Sequence, residues 1–218
     1  MRDDADGHVR LRPATPDDAA AVRRIYAPYV RDSPATFRTE VPSVAEVRAK
    51  VREKRDADEY PWYVAVVGDD AEGDAEDDGN DGPRDATGDG EVESRIVGYA
   101  YGSQLRERPA YRWAVETSVY VDHEAHRSGI GTRLYDRLLD TLRRQGYCAA
   151  YAALGMPNPE SEAFHERRGF ERVGRFPAAG FKLDGWHDVV WYHRRLREPE
   201  GEPAEPRPVS AVDGAFRD

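Results

Sequence analysis

The sequence predicts a single α/β domain built on a mixed β-sheet flanked by helices. Three observations lead there. Runs with strand-like alternation recur between runs with helical spacing, in the order βααβββαβαββ. The helix-like runs carry recognisable caps. The length of 218 residues, 39% apolar, suits one domain with tails and a core large enough to fold unaided.

Val9-Arg10-Leu11-Arg12 reads as a short strand. Thr15 then caps a helix with Pro16 at its first position, and Val22, Ile25, Tyr26 and Tyr29 form its apolar stripe. Ser43-Val44-Ala45-Glu46 is a capping box opening a second helix, with Val44, Val47 and Val51 on one face. Two strands follow, 62–67 and 95–101, and then a third from Val115 to Val121. In that strand Val115, Thr117, Val119 and Val121 share one face, and Glu116, Ser118 and Tyr120 the other.

A long helix runs from Gly131 to about Gln145, with Leu134, Leu138, Leu139 and Leu142 as its buried stripe and Gly146 ending it. Tyr147 to Leu154 is a strand, and Asn158 caps a helix whose first turn is acidic and whose end holds Arg167-Arg168-Gly169. Strands near 170–176 and 188–196 close the order.

The formal net charge of -10 is local. Residues 68–95 hold twelve acidic residues against two arginines, and the remainder is balanced. This Gly/Asp/Glu tract lacks the apolar side chains to offset its ordering entropy, so it is expected to be a disordered insertion in a hairpin. Residues 1–8 are read as an N-terminal tail, 9–197 as the domain, and the proline-rich 198–218 as a disordered C-terminal tail. Lys50, Lys54 and Lys182 are the only lysines among 32 basic residues, a usage that a salt-loving or GC-rich organism would produce. No basic stripe points to nucleic acid. No apolar run approaches the roughly 20 residues of a membrane span, and the acidic start is unlike a signal peptide. One cysteine, Cys148, excludes an internal disulfide, and with six histidines no metal site is expected. A cytoplasmic address follows.

The most informative window is the strand Val115–Val121 followed by His126-Arg127-Ser128-Gly129-Ile130-Gly131-Thr132. Glycines at a helix start let backbone approach a ligand, and the first-turn N–H groups favour an anion. A tight turn with no ligand explains a lone Gly-x-Gly equally well. The lysine of a triphosphate loop is missing, as is the third glycine of a dinucleotide fold.

The window resembles the pyrophosphate loop of the GNAT superfamily of acetyl-CoA-dependent N-acetyltransferases, with His126 standing where Gln or Arg is usual. Six stretches, in order, together resemble the phosphinothricin and methionine sulfoximine/sulfone acetyltransferases of that superfamily: Ala35-Thr36-Phe37, Pro109–Trp113, Val115–Val121, Pro157-Asn158-Pro159, His165–Phe170 and Gly185–Asp188. The resemblance spans Val9 to Leu196. It implies a GNAT fold with the sheet splayed at the acetyl-CoA site, a homodimer, and direct transfer to the α-amine of a small amino-acid-like acceptor. Arg127, Ser128, Gly129, Ile130, Gly131 and Thr132 would then bind the pyrophosphate, Val119, Tyr120 and Val121 the thioester, and Asn158 the pantetheine arm.

Glu116 is the candidate base, since the acceptor ammonium must lose a proton; a structural pair with an arginine such as Arg112 is its other reading. His165 holds the position at which many GNAT enzymes use a tyrosine as general acid, although a packed histidine fits the sequence as well. Arg106, Arg108 and Arg112, with Glu116, Thr117 and Ser118, are the candidate acceptor site, because guanidinium groups bind carboxylate and phosphinate in bidentate fashion. Another amine or a protein N-terminus as acceptor, and an acyl-CoA-binding module without turnover, are the rivals.

Overall fold

The computed structural model describes residues 9–68, 94–198 and 201–216. The N-terminal tail and nearly all of the acidic insertion lie outside the described residues. Seven strands form one sheet, β1 (Val9–Pro13), β2 (Trp62–Val67), β3 (Arg95–Gln104), β4 (Ala114–Val121), β5 (Ala149–Gly155), β6 (Glu171–Lys182) and β7 (Gly185–Arg195). Their spatial order is β1-β2-β3-β4-β5-β7-β6. Only the β4–β5 pair is parallel.

Helices α1 (Ala19–Asp32) and α2 (Val44–Ala57) cover one face, and α3 (Ile130–Gln145) packs on the other, with α4 (Pro159–Glu166) following β5. A short 3-10 turn, Pro16–Asp18, precedes α1. The Asp18 carboxylate accepts from Thr15 N–H at 2.7 Å and from both Arg12 terminal nitrogens at 2.7 Å. The Ser43 hydroxyl accepts from Glu46 N–H while Glu46 accepts from Ser43 N–H, the reciprocal box the sequence predicts. Val22, Ile25, Val47 and Val51 are buried against Val64, Trp62 and Tyr99. On the opposite face Leu134, Leu138, Leu139 and Leu142 meet Val115, Ala150 and Leu154. Alternation along β4 places Val115 and Thr117 with α3, and Tyr120 among the rings facing α1.

β4 and β5 pair over only three positions, Ala114–Ala149, Val115–Ala150 and Glu116–Tyr151. Beyond Glu116 they part, while β4 stays paired with β3 up to Val121. This splay is the feature on which the site is built.

Two expectations need correction. The last hairpin is longer than its alternation suggests, with β6 reaching Lys182 and β7 starting at Gly185. Leu183 and Asp184 between them both take left-handed φ, 50° and 58°, as a two-residue primed turn requires. The C-terminal tail, expected to be disordered, is packed over residues 201–216. Val209 and Val212 of the one-turn helix α5 (Val209–Val212) are buried. Asp213 accepts from the Tyr63 hydroxyl and from Arg137 at 2.8 and 2.9 Å. Phe216 stands edge-on to Tyr63 at 5.4 Å. Polar contacts also hold the segment, among them Gln145 Nε2 to Arg207 O and Ser210 N–H to Asp58 Oδ1, and such scattered contacts leave no periodic pattern in the sequence.

Candidate active site

Where β4 and β5 part, a cleft of about 850 Å³ opens between them, the start of α3 and the start of α4. Val119, Tyr120 and Val121 form one wall, Arg127 and Gly129 through Thr132 a second, and Asn158 a third. Thr117, Ser118 and His165 also line it. Asp122 N–H donates to Val97 O at 2.8 Å on the β3 side. Antiparallel alternation therefore turns the backbone polar groups of Val119 and Val121 away from β3, into the gap. Val121 O is already taken by the Tyr29 hydroxyl at 2.6 Å, with His126 Nε2 at 3.2 Å.

The loop into α3 is wound by two left-handed residues, Arg127 at φ 65° and Gly129 at φ 81°. Gly129 is the N-cap, and no side chain satisfies the first-turn N–H groups of α3. Those donors and the helix dipole point into the cleft, a ready anion site. A Cβ on Gly131 would make ordinary van der Waals contact, 3.4 Å from both Phe164 and Val121. Arg127 is 89% exposed and reaches Glu160 Oε1 at 3.5 Å across the mouth. Ser128 does not line the cleft; its hydroxyl donates to Ala125 O at 2.6 Å. Asn158 Oδ1 accepts from Ser161 N–H at 3.4 Å, which leaves its amide NH2 available as a donor.

Glu116 stands at the apex of the splay, on the face of β4 opposite the α3 core. It is half-buried, and burial raises its carboxyl above the ordinary value of 4.5, with Arg106 and Lys50 opposing the rise. The nearby charges are therefore Arg106 and Lys50, and Arg112 is elsewhere. Arg112 pairs with Glu205 of the C-terminal segment, lies over Trp113 at 5.0 Å, and is not brought to Glu116. Arg108 is exposed at the start of the 3-10 turn Pro109–Tyr111. Arg106 lies over the Trp191 ring at 5.2 Å. Of the arginine trio, the fold brings one to the carboxylate.

His165 is buried, 4% exposed. Its Nδ1 is 2.7 Å from Ser161 O and its Nε2 3.1 Å from the Tyr135 hydroxyl. Burial lowers its pKa below 6.5, opposed by the Ser161 contact and aided by Arg168. His187 and Asp188 face different partners, His187 the carbonyls of Met156 and Lys182, and Asp188 Arg175 with Ala178 N–H, so they form no dyad. Cys148 sits outside the cleft lining. Among the described residues no cluster of three potential metal ligands occurs.

Residues 48–170 match the acetyltransferase (GNAT) family. A phosphinothricin N-acetyltransferase of Streptomyces viridochromogenes is 37% identical over 204 residues, 94% of each chain. An L-methionine sulfoximine/L-methionine sulfone acetyltransferase of Pseudomonas paraeruginosa is 32% identical over 108 residues, 50% of this chain and 63% of that protein. Among solved structures, a GNAT superfamily phosphinothricin acetyltransferase of Sinorhizobium meliloti in complex with AcCoA superposes with a TM-score of 0.74 at 30% identity, covering 96% of this chain and 99% of that one. The chain belongs to the GNAT acetyltransferase family.

This GNAT N-acetyltransferase has site residues that sequence spacing did not reveal. Lys50 comes from α2, far from β4 in sequence, and lies over the Tyr101 ring at 4.9 Å. Lys182 is buried at the hairpin tip and donates to Ser33 O and Thr36 O, each at 2.6 Å, which pins the α1–α2 loop beside the cleft. The one available signal was the rarity of lysine: an arginine-rich chain keeps three, and two are here. The third, Lys54, donates to Gly102 O at 2.9 Å, and burial first, then Lys50, lowers its pKa to about 8.

Proposed function

We propose that this enzyme transfers the acetyl group of acetyl-CoA to the α-amino group of a small anionic amino acid of the phosphinothricin or methionine sulfoximine/sulfone type. The observation that carries this reading is Glu116, a half-buried carboxylate at the splay apex with Arg106 and Lys50 beside it, neither paired with a carboxylate among the described residues. One negative and two positive charges repel a polyamine and attract an acceptor that brings its own carboxylate.

The pyrophosphate sits on the first turn of α3, at Arg127 and Gly129–Thr132, with Ser128 supplying backbone alone. The pantetheine arm runs between β4 and β5 past the Asn158 amide. The N–H groups of Val119 and Val121, which face the gap, meet the thioester oxygen as it gains charge, whereas the backbone of Tyr120 is turned to β3. Glu116, its pKa raised above the ordinary value by burial, takes the proton of the acceptor ammonium. The freed amine attacks the thioester carbon directly; as the tetrahedral intermediate collapses the C–S bond breaks, and the surplus proton on nitrogen passes to the departing thiolate, which leaves as the thiol of CoA. Thr117 and Ser118 border the point of attack. Arg106 holds the acceptor carboxylate with Lys50 nearby, whereas Arg112 and Arg108 act outside the acceptor site. His165, buried and neutral, positions Tyr135 and Thr117 and does not itself supply the proton.

The enzyme acts in the cytoplasm as a homodimer. No described helix is long and apolar enough to cross a membrane. The dimer is supported by Val173, Phe176, Phe181, Leu183 and Trp186, all 51–68% exposed on the terminal hairpin, whose β6 is a sheet edge.

CoA release with phosphinothricin, methionine sulfone, spermidine and a short peptide tests the reading. Turnover with the first two alone is the expected result. Preference for spermidine or the peptide would remove the acceptor assignment.

A further inference from the structure

Lys50 and Lys54 lie one turn apart on α2, on the side that carries the buried Val47 and Val51, so both lean over the sheet. Beneath them the rings of Trp62 in β2 and Tyr101 in β3 are stacked, 4.6 Å apart. Lys54 Nζ is engaged, donating to Gly102 O at 2.9 Å. Lys50 is exposed, and its Nζ stands 4.9 Å from the Tyr101 centroid and 6.0 Å from that of Trp62. It forms no hydrogen bond or ion pair among the described residues. Ring faces attract a cation and fix its place without neutralising it.

The register of the sheet places this unpaired charge relative to Glu116. Ser103 pairs with Glu116 and Tyr101 with Ser118, so Tyr101 and Glu116 share a face. On the other side Glu116 pairs with Tyr151 of β5, and Trp191 of β7 pairs with Ala153 two residues along, again on that face. Arg106 lies over Trp191. Lys50 therefore flanks Glu116 from the β2–β3 side and Arg106 from the β5–β7 side. Their supporting rings in β3 and β7 stand three strand spacings apart, about 14 Å. A lone carboxylate held at Arg106 leaves Lys50 with no anion but Glu116.

We propose that Lys50 is the specificity-determining residue of the acceptor site, pairing with a second anion carried on the acceptor's side chain. Lys50 takes this part only if Glu116 is the base and Arg106 the carboxylate ligand, as proposed above. With the amine at Glu116, the carboxylate and the side chain leave the α-carbon in different directions, and a cation on either side receives each. Amino acids ending in a phosphinate, phosphonate or sulfonate satisfy both cations, whereas a neutral sulfone or sulfoximine leaves Lys50 unpaired. The rings hold the ammonium in place before the acceptor arrives, which reduces the entropy lost on binding.

Homocysteate and methionine sulfone isolate the charge, since they differ by a sulfonate oxygen in place of a methyl group. Initial rates of CoA release with each, at saturating acetyl-CoA, test the full chain as wild type, Lys50→Gln and Lys50→Arg, with thermal unfolding confirming that each variant folds. Wild type should favour homocysteate about ten-fold or more in kcat/KM, with the difference in KM, the scale of one charge-assisted hydrogen bond. Lys50→Gln should raise KM more for homocysteate than for methionine sulfone and bring the ratio toward one, while Lys50→Arg should retain most of it. Equal kcat/KM for the two acceptors in wild type, or a ratio unchanged in Lys50→Gln, would overturn the assignment of Lys50. Wild type inert with both, and with phosphinothricin, would instead overturn the acceptor reading beneath it.

Discussion

The Tyr135 hydroxyl stands 3.1 Å from His165 Nε2 and 2.6 Å from Thr117 Oγ1, linking α4, α3 and β4 through one buried oxygen. A carbonyl can only accept, so the 2.7 Å contact between His165 Nδ1 and Ser161 O assigns the ring proton to Nδ1. Nε2 is then the acceptor for Tyr135. The histidine is thereby fixed as a neutral acceptor beneath the wall of the cleft.

From that arrangement, kcat should show no basic limb due to His165 between pH 6 and 8. The buried ring also refuses a proton that the unfolded chain accepts, so stability should decline as pH falls below about 6.5, the ordinary histidine value. Replacing Tyr135 with Phe should cost about 1–2 kcal/mol in urea unfolding, from two broken buried hydrogen bonds. A histidine-dependent limb that vanishes in His165→Ala would show that the ring does donate a proton.

Glu116→Gln keeps the shape of the apex and removes the base. Loss of kcat/KM by about 10²–10³-fold is expected, within the usual range for general-base catalysis. In wild type the acid limb should lie above the ordinary glutamate value of 4.5, because burial raises the carboxyl pKa, and it should be missing from the variant. Equal rates in both proteins would exclude Glu116 as the base.

Arg106→Ala and Lys50→Ala should each raise the acceptor KM about ten-fold with little effect on the KM for acetyl-CoA, as the loss of one charged contact predicts. Arg112→Ala should leave the acceptor KM unchanged, since its guanidinium is engaged by Glu205. Initial-rate kinetics with phosphinothricin separate these outcomes.

Asp213 is 3% exposed. Burial alone would raise its carboxyl, but Tyr63, the Ala215 N–H and Arg137 together hold it below 3.8. Its stabilising contribution is therefore present above the ordinary carboxylate range and is lost as pH falls through the depressed value. Asp213→Ala should destabilise the protein by about 1–2 kcal/mol, since the Arg137 left behind is 40% exposed and solvent screens it, and loosen residues 201–216 to proteolysis.

Phe181→Lys or Trp186→Lys should shift the molecule from dimer to monomer in analytical ultracentrifugation. Both side chains are more than half exposed on the terminal hairpin, where a second copy is proposed to sit. A wild-type monomer would remove that interface.

Local chemistry made much of this protein legible from its residues alone. The Ser43–Glu46 box, the leucine stripe of α3, Gly146 at its end and the alternation along β4 are short-range patterns. Each reports a backbone state within a few residues, and each is found in the structure. The cleft's lining was legible for the same reason, since the strand β4 and the loop into α3 that form two of its walls are consecutive in the chain. The hairpin turn was not, because Leu183 and Asp184 hold left-handed φ without the usual Asn-Gly chemistry, in a hairpin whose Lys182 is tied to Ser33 and Thr36.

The charged surroundings of Glu116 were decided by tertiary structure. Lys50 reaches the neighbourhood of Glu116 only because α2 packs across the sheet, and Arg112 leaves it only because Glu205 returns from the C-terminal segment. Charge pairing depends on distance in space, and sequence separation carries no information about it once a sheet has brought remote strands together.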